Sequence, residues 1–196
     1  MILRGFDWIG RHWLVDERHA VLGLQRGSVQ IVPYTPAWAT LFEAERARLH
    51  HALHPYVLDI QHIGSTAVPG LAAKPILDLG IAVVDESIGI ACIPRITALG
   101  YAYQEYRGAD QGHFFDLGPE HQLTHYLHLL RIGDPGWWNY LRFRDYLRAH
   151  PVARDAYQQL KQDLATEYAA DRASYSAAKA TFIQHILAAD SSAANR

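Results

Sequence analysis

The sequence predicts an α+β domain in which a sheet of about five or six strands precedes a run of helices, an order that separates the two element types along the chain. Three observations lead there. Short apolar or alternating runs bounded by Gly, Asp and Pro crowd the stretch from residue 57 to 130, and from Pro135 onward the apolar spacing changes to the 3.6-residue period of a helix. The chain has 196 residues, 49% hydrophobic and 19% charged, enough apolar surface for one sizeable core and too little charge density for a disordered chain.

Residues 1–20 carry Trp8 and Trp13 without a clear period and are read as an extension ahead of a domain spanning 21–190. VQIV (29–32) is a short strand candidate. Thr35 and Pro36 then supply an N-cap and a first helical residue, and Trp38, Leu41, Phe42 and Leu49 share one face of a helix over about 36–52. VLDIQHI (57–63) alternates as a strand, GSTAVPGLAAKP interrupts regularity with two glycines and two prolines, and ILDLGIAVV resumes as a strand. A helix over about 86–99 closes at Gly100, and YAYQEY, GHFFDL and LTHYLHLL supply three more strands. Three helical stripes follow: Trp137, Leu141 and Leu147; Tyr157, Leu160, Leu164 and Tyr168; and Tyr175, Ala178, Phe182 and Ile186, with Pro151 dividing the first two. The tail SSAANR (191–196) reads as disordered, and the chain shows no internal repeats.

Bulk properties exclude several functions. A formal charge of −2 gives no overall attraction to nucleic-acid phosphates, so no nucleic-acid partner is expected. The lone Cys92 has no disulfide or CxxC partner, the first residues lack a signal-peptide order, and every long apolar stretch is interrupted, by Asp78 for example. These features predict a cytoplasmic protein without a membrane partner. Twelve histidines include no HExxH, so no dedicated metal cage is signalled, and nothing bears on the oligomeric state.

The segment from His62 to Asp78 is the most informative. A strand ends on Gly64-Ser65, and the next begins with an aspartate set among Ile76, Leu77, Leu79 and Ile81. Glycine permits close approach of backbone to ligand, exposed N–H groups with the Ser65 and Thr66 hydroxyls can hold phosphate oxygens, and a carboxylate can hold magnesium. A Gly-Ser-Thr turn is also an ordinary tight connection. Asp78 favours function, because an ionised group in apolar surroundings is costly unless paired or bound to a cation.

Ile63-Gly64-Ser65 with Asp78 resembles the signature of the polymerase-β-like nucleotidyltransferases, a hydrophobic residue and Gly-Ser followed after about a dozen residues by a pair of acids. Gly80 stands where the second acid belongs. HIGSTAVPGLAAKPILDL, together with Val32-Pro33-Tyr34 and Trp38, the paired histidines of Thr124-His125-Tyr126-Leu127-His128, and Phe143-Arg144-Asp145-Tyr146-Leu147-Arg148, resembles the GrpB family over about residues 21–188. That resemblance implies a nucleotidyltransferase-like core with a mixed sheet, a magnesium ion at Asp78, and a small phosphorylated ligand. The ligand would be a nucleoside triphosphate or a coenzyme A-related compound, since related domains occur fused to dephospho-CoA kinase. It implies either nucleotidyl transfer to a small acceptor or, given Gly80, a binding module that has lost the chemistry. GHFFDLGPE departs from the family, replacing a stretch that usually carries basic residues. His113 and Asp116 there are read either as substitutes for those charges or as part of a solvated edge strand.

Helix periodicity adds cations. Lys161 lies between Tyr157 and Leu164, Lys179 between Tyr175 and Phe182, and Arg144 between Leu141 and Leu147, so all three border apolar stripes. Each alone could snorkel to water; with the Gly-Ser loop they favour one anionic pocket. On this reading Gly64, Ser65 and Thr66 contact phosphates, Asp78 binds magnesium, and Lys74, Arg144, Lys161 and Lys179 offset ligand charge. His62 and His128 complete the site, with His128 and Asp78 as the catalytic pair. His125 and His128 point to opposite faces of a strand, so at most one can line the pocket. A histidine with its ordinary pKa of about 6.5 could accept a proton from an attacking hydroxyl or ligate the metal.

Overall fold

Alternation along five strands builds the sheet, and its two faces have different fates. The computed structural model describes the backbone of residues 4–6, 12–14 and 21–194, and side chains within 21–190. A separate two-stranded antiparallel sheet pairs β1 (Arg4–Phe6) with β2 (His12–Leu14). Helix α1 (Ala37–Leu53) leads into β3 (Val57–Ile63), a short 3-10 turn (Ser65–Ala67) and β4 (Leu77–Val83). Then come α2 (Glu86–Ala98), β5 (Ala102–Tyr106), β6 (His113–Leu117) and β7 (His125–Arg131). Helices α3 (Pro135–Ala149), α4 (Pro151–Glu167), α5 (Arg172–Ala178) and α6 (Ala180–Ala194) finish the chain.

The five-stranded sheet has the order β3-β4-β7-β6-β5, with β4 and β7 parallel and the other pairs antiparallel, so it is mixed, as the α+β reading expects. One face is apolar: Leu79, Ile81, Leu127, Leu129 and Phe115 pack beneath α1 and α2 against Trp38, Phe42 and Leu49. Each such side chain contributes about 1.5–3 kcal/mol on full burial. The register puts the opposite set on the other face, Ile63 beside Asp78 beside Tyr126 beside Asp116, and in the next row Gly80, His128 and Phe114. Helix α3 lies against β3, β4 and β7 on that side, with α4, α5 and α6 following it.

Several expectations are corrected. VQIV forms no strand. The Val29 N–H bonds to Ala169 O, Val32 makes a lone bridge to Ala73, and Val29 packs with Leu164 and Tyr175, so its apolar side chains cover helices rather than extend the sheet. Thr35 Oγ1 accepts from Ala37 N at 3.3 Å, one residue inside the expected helix start. The third helical stripe is two helices, α5 and α6, broken at Lys179. GHFFDL is no solvated edge: β6 lies between β7 and β5 and is buried throughout, leaving β5 as the exposed edge. The tail expected to be disordered from 191 is helical in backbone to Ala194, continuing the alanine-rich register of α6, while residues 195 and 196 lie outside the described residues. Among the described residues no helix is long and apolar enough to cross a membrane.

Candidate functional site

At the end of β3 the chain turns through Gly64, whose φ of +69° suits glycine, and a Cβ there would lie 2.8 Å from Cβ and Cγ of Asp78. Glycine at this position is what lets the Asp78 carboxylate lie against the backbone of the loop. The 3-10 turn then presents Ser65, while β4 holds Asp78 directly opposite Ile63. Helices α3 to α6 arch over this face without filling it. They leave a cleft of about 950 Å³ floored by Ser65, Asp78, Tyr126 and His128, walled by Tyr157, Lys161, Tyr175 and Lys179, and bounded at its far end by Arg26, Arg107, Phe114 and Asp116.

Cations dominate the end nearest Asp78. Lys161 is buried and its Nζ donates to Ala72 O. The Lys74 and Lys179 ammonium groups lie 5.3 and 4.3 Å from the centroid of the same Tyr175 ring, and the Arg172 guanidinium lies 4.7 Å from that of Tyr126. Among the described residues none of these four forms an ion pair. Arg26, by contrast, grips Asp116 through two bonds of 2.7 and 3.1 Å. Burial, reinforced by Arg172 and Lys179, lowers the Lys74 pKa to about 7; burial with Lys179 and Lys74 lowers Lys161 to about 7. Lys179 falls to about 8, chiefly through burial, against the opposing pull of Asp78. Burial pushes the Asp78 carboxyl above the ordinary range, while Lys74, Lys179 and Arg172 work against that rise. Burial thus penalises the charged forms of Lys74, Lys161, Lys179 and Asp78 alike.

Of the residues singled out in the sequence, Gly64, Ser65, Thr66, Lys74, Asp78, His128, Lys161 and Lys179 all line this cleft. Thr66 reaches it with its hydroxyl already engaged, donating to Ile76 O at 3.3 Å and lying 3.0 Å from His62 Nε2. His128 is on the cleft face, whereas His125 faces the core beneath Tyr101. Nδ1 of His128 lies 3.0 Å from Gln111 O, and because a carbonyl only accepts, that nitrogen carries the proton and Nε2 is the basic one. Burial lowers this ring's pKa to about 4, so it is neutral at neutral pH.

Two expected residues are elsewhere. His62 neighbours Ile63 and therefore points to the opposite face, where it stacks on Phe42 with centroids 4.7 Å apart; burial lowers its pKa to about 3. Arg144 is buried at the back of α3, donating to Gln61 Oε1 at 2.8 Å, to His62 O at 3.0 Å and to both oxygens of Asp145. It ties α3 to β3 and does not line the cleft. Sequence reasoning in turn missed Arg172, Arg107 and Arg26. Arg172 stands one residue after Asp171, whose side chain caps α5 by accepting from Ser174 N, and that cap was the legible signal. Tyr157 and Tyr175 were visible only as members of apolar stripes.

Gly80 faces the cleft side two residues after Asp78, where the signature places its second acid. A Cβ there would lie 3.3 Å from both Ile63 Cγ2 and Trp137 Cζ3, and Trp137 is buried. An indole thus fills the space of the second carboxylate. Among the described residues no group of three or more His, Cys, Asp or Glu is placed to hold a metal ion. The donors therefore do not fit the two-ion centre that the superfamily signature implies.

The family model described as GrpB protein matches residues 28–189. The chain belongs to the GrpB family. It is 34% identical over 173 residues to the glutamate-rich protein GrpB of Alkalihalophilus pseudofirmus, covering 85% of this chain and 98% of that one. The UPF0157 protein YqkA of Bacillus subtilis is 36% identical over 140 residues, which are 71% of this chain but 40% of YqkA. A solved structure of conserved protein GrpB from Enterococcus faecalis superposes with a TM-score of 0.75 at 31% identity, covering 82% of this chain and 96% of that one. A dephospho-CoA kinase of Mycolicibacterium paratuberculosis matches at 28% over 180 residues, 80% of this chain and 44% of the kinase.

Proposed function

We propose that this GrpB-family chain binds a small phosphorylated molecule, a nucleoside triphosphate or a coenzyme A-related compound, in the cleft between β4 and α5. The observation that carries this reading is the set of four cations, Lys74, Lys161, Arg172 and Lys179, gathered near the carboxylate of Asp78 and, among the described residues, without an ion pair. A phosphate chain would supply counter-charge to these cations, the cleft-lining backbone and Ser65 hydroxyl at the end of β3 donors to it, and Tyr157 and Tyr175 apolar cover. The match to a dephospho-CoA kinase supports keeping coenzyme A precursors among the candidates.

A second reading, transfer of a nucleotidyl group to a small hydroxyl-bearing acceptor, is favoured by one observation, the neutral His128 with its basic Nε2 on the same face as Asp78. The acceptor oxygen would attack the α-phosphorus, pyrophosphate would leave, and His128 would take the hydroxyl proton. Gly80 beneath Trp137 weighs against it, so binding stands as the conclusion.

A thermal-shift and calorimetry panel of the four common triphosphates, coenzyme A and dephospho-coenzyme A tests both. Arg172→Gln with Lys179→Gln is expected to weaken the best ligand by about tenfold or more. Absence of any stabilisation by every phosphorylated compound would remove the binding reading. Pyrophosphate release with a panel of small acceptors would promote the second reading over the first.

A further inference from the structure

We propose that the cleft neutralises its ligand's phosphates with protein ammonium and guanidinium groups in place of divalent metal ions, so that binding needs no magnesium. The inference rests on the phosphate-binding reading and goes one step past it. Three independent features support it. Gly80 removes the second acid, and Trp137 occupies its place, with Cζ3 3.3 Å from where a Cβ would sit. Lys74 and Lys179 both lie over the Tyr175 ring, and Lys161 is fixed by Ala72 O, so three ammonium groups are positioned before any ligand arrives. Arg172, laid over Tyr126, completes a set whose charge opposes entry of a doubly positive ion beside Asp78. Magnesium is a small cation that releases its waters reluctantly and is normally drawn in by one or more carboxylates whose surroundings are anionic or neutral. Asp78 has the reverse surroundings. In this arrangement the carboxylate lies among ammonium groups and opposes the phosphate charge, a role opposite in sign to that of a metal ligand.

The probes are inorganic triphosphate and ATP, titrated calorimetrically into the full chain at pH 6.5, once with excess EDTA and once with excess magnesium. The expected result is a dissociation constant in EDTA within about threefold of that in magnesium. Asp78→Asn, an isosteric change that keeps the packing against Gly64, is expected to tighten binding in EDTA by about threefold or more, because it removes an anion from beside the phosphates. Binding that appears only with magnesium, or an Asp78→Asn variant that loses about tenfold in affinity while remaining folded by circular dichroism, overturns the inference and leaves the phosphate-binding reading intact. No binding of either probe under either condition overturns the inference, and if coenzyme A and dephospho-coenzyme A are also inert the phosphate-binding reading falls with it.

Discussion

Lys161 shows how one side chain can report the state of the cleft. Its ammonium is buried against Ala72 O, and burial together with Lys179 and Lys74 lowers its pKa from the ordinary lysine value to about 7. Between about pH 7 and 10 the unfolded chain therefore binds more protons than the folded one at Lys74, Lys161 and Lys179, and these groups make stability rise with pH over that window. The histidines act lower. His62 and His128 titrate at about 3 and 4 when folded and near 6.5 when unfolded, so the stability they confer as neutral rings is complete above that value and is lost as pH falls toward 3. Melting temperatures of the ligand-free protein should climb from pH 4 to 6.5 and continue to climb toward pH 9, with a shallower upper limb in Lys161→Met; an upper limb unchanged in that variant would contradict the assignment. At this scale the sequence was partly legible. The stripe at 161 set Lys161 toward the cleft because helical period fixes direction, and Lys179 reaches it at the break between α5 and α6, but the same logic failed for Arg144, whose α3 carries aromatics on more than one side. His62 failed because one residue of alternation decides the face of a strand.

Elements explain what single residues could not. The floor of the cleft exists because β4 and β7 run parallel in a register that sets Asp78 beside Tyr126 and Gly80 beside His128, and because α3 lowers Trp137 onto Gly80. No local sequence signal connects positions 80 and 137, so the reason for the missing acid was invisible until the helix was placed. Gly80→Asp should therefore destabilise the protein by about 2–4 kcal/mol, combining overpacking with a poorly solvated carboxylate, and should fail to create metal-dependent activity. Urea unfolding measures the first part, and a Gly80→Asp protein as stable as the parent would show that Trp137 yields easily. Arg144 makes a complementary prediction for α3. Replacing it with Ala removes donors from Gln61 Oε1 and His62 O, next to the loop that carries Gly64. A loss of about 2–4 kcal/mol is expected from buried acceptors left without partners. Affinity measured on the remaining folded fraction should change far less than it does in Arg172→Gln, because Arg144 is absent from the cleft lining.

Across the whole molecule, a formal charge of −2 hides a polarised interior surface. The cations converge from segments distant in sequence, Lys74 after the Gly-Ser loop, Lys161 on α4, Arg172 on α5 and Lys179 at the break before α6. This convergence is why the α+β class could be read from period and punctuation while the far end of the cleft, with Arg26 and Arg107, could not: those residues meet only through tertiary contacts. It also gives the ligand a mechanical role. In the free protein the four cations repel one another across the seam between sheet and helices, so a polyanion that satisfies them joins α4 and α5 to the β3–β4 loop. Stabilisation by a ligand at about a hundred times its dissociation constant amounts to about 2.7 kcal/mol. That gain should be concentrated where the charges are. Hydrogen exchange with inorganic triphosphate is thus expected to slow most in residues 64–78, 157–164 and 172–179, and little in α1 or α2, which pack on the opposite face of the sheet. Protection spread evenly over both faces would mean that the ligand acts through global stability alone, and protection confined to α1 and α2 would place the binding site on the wrong side of the sheet for every cation described.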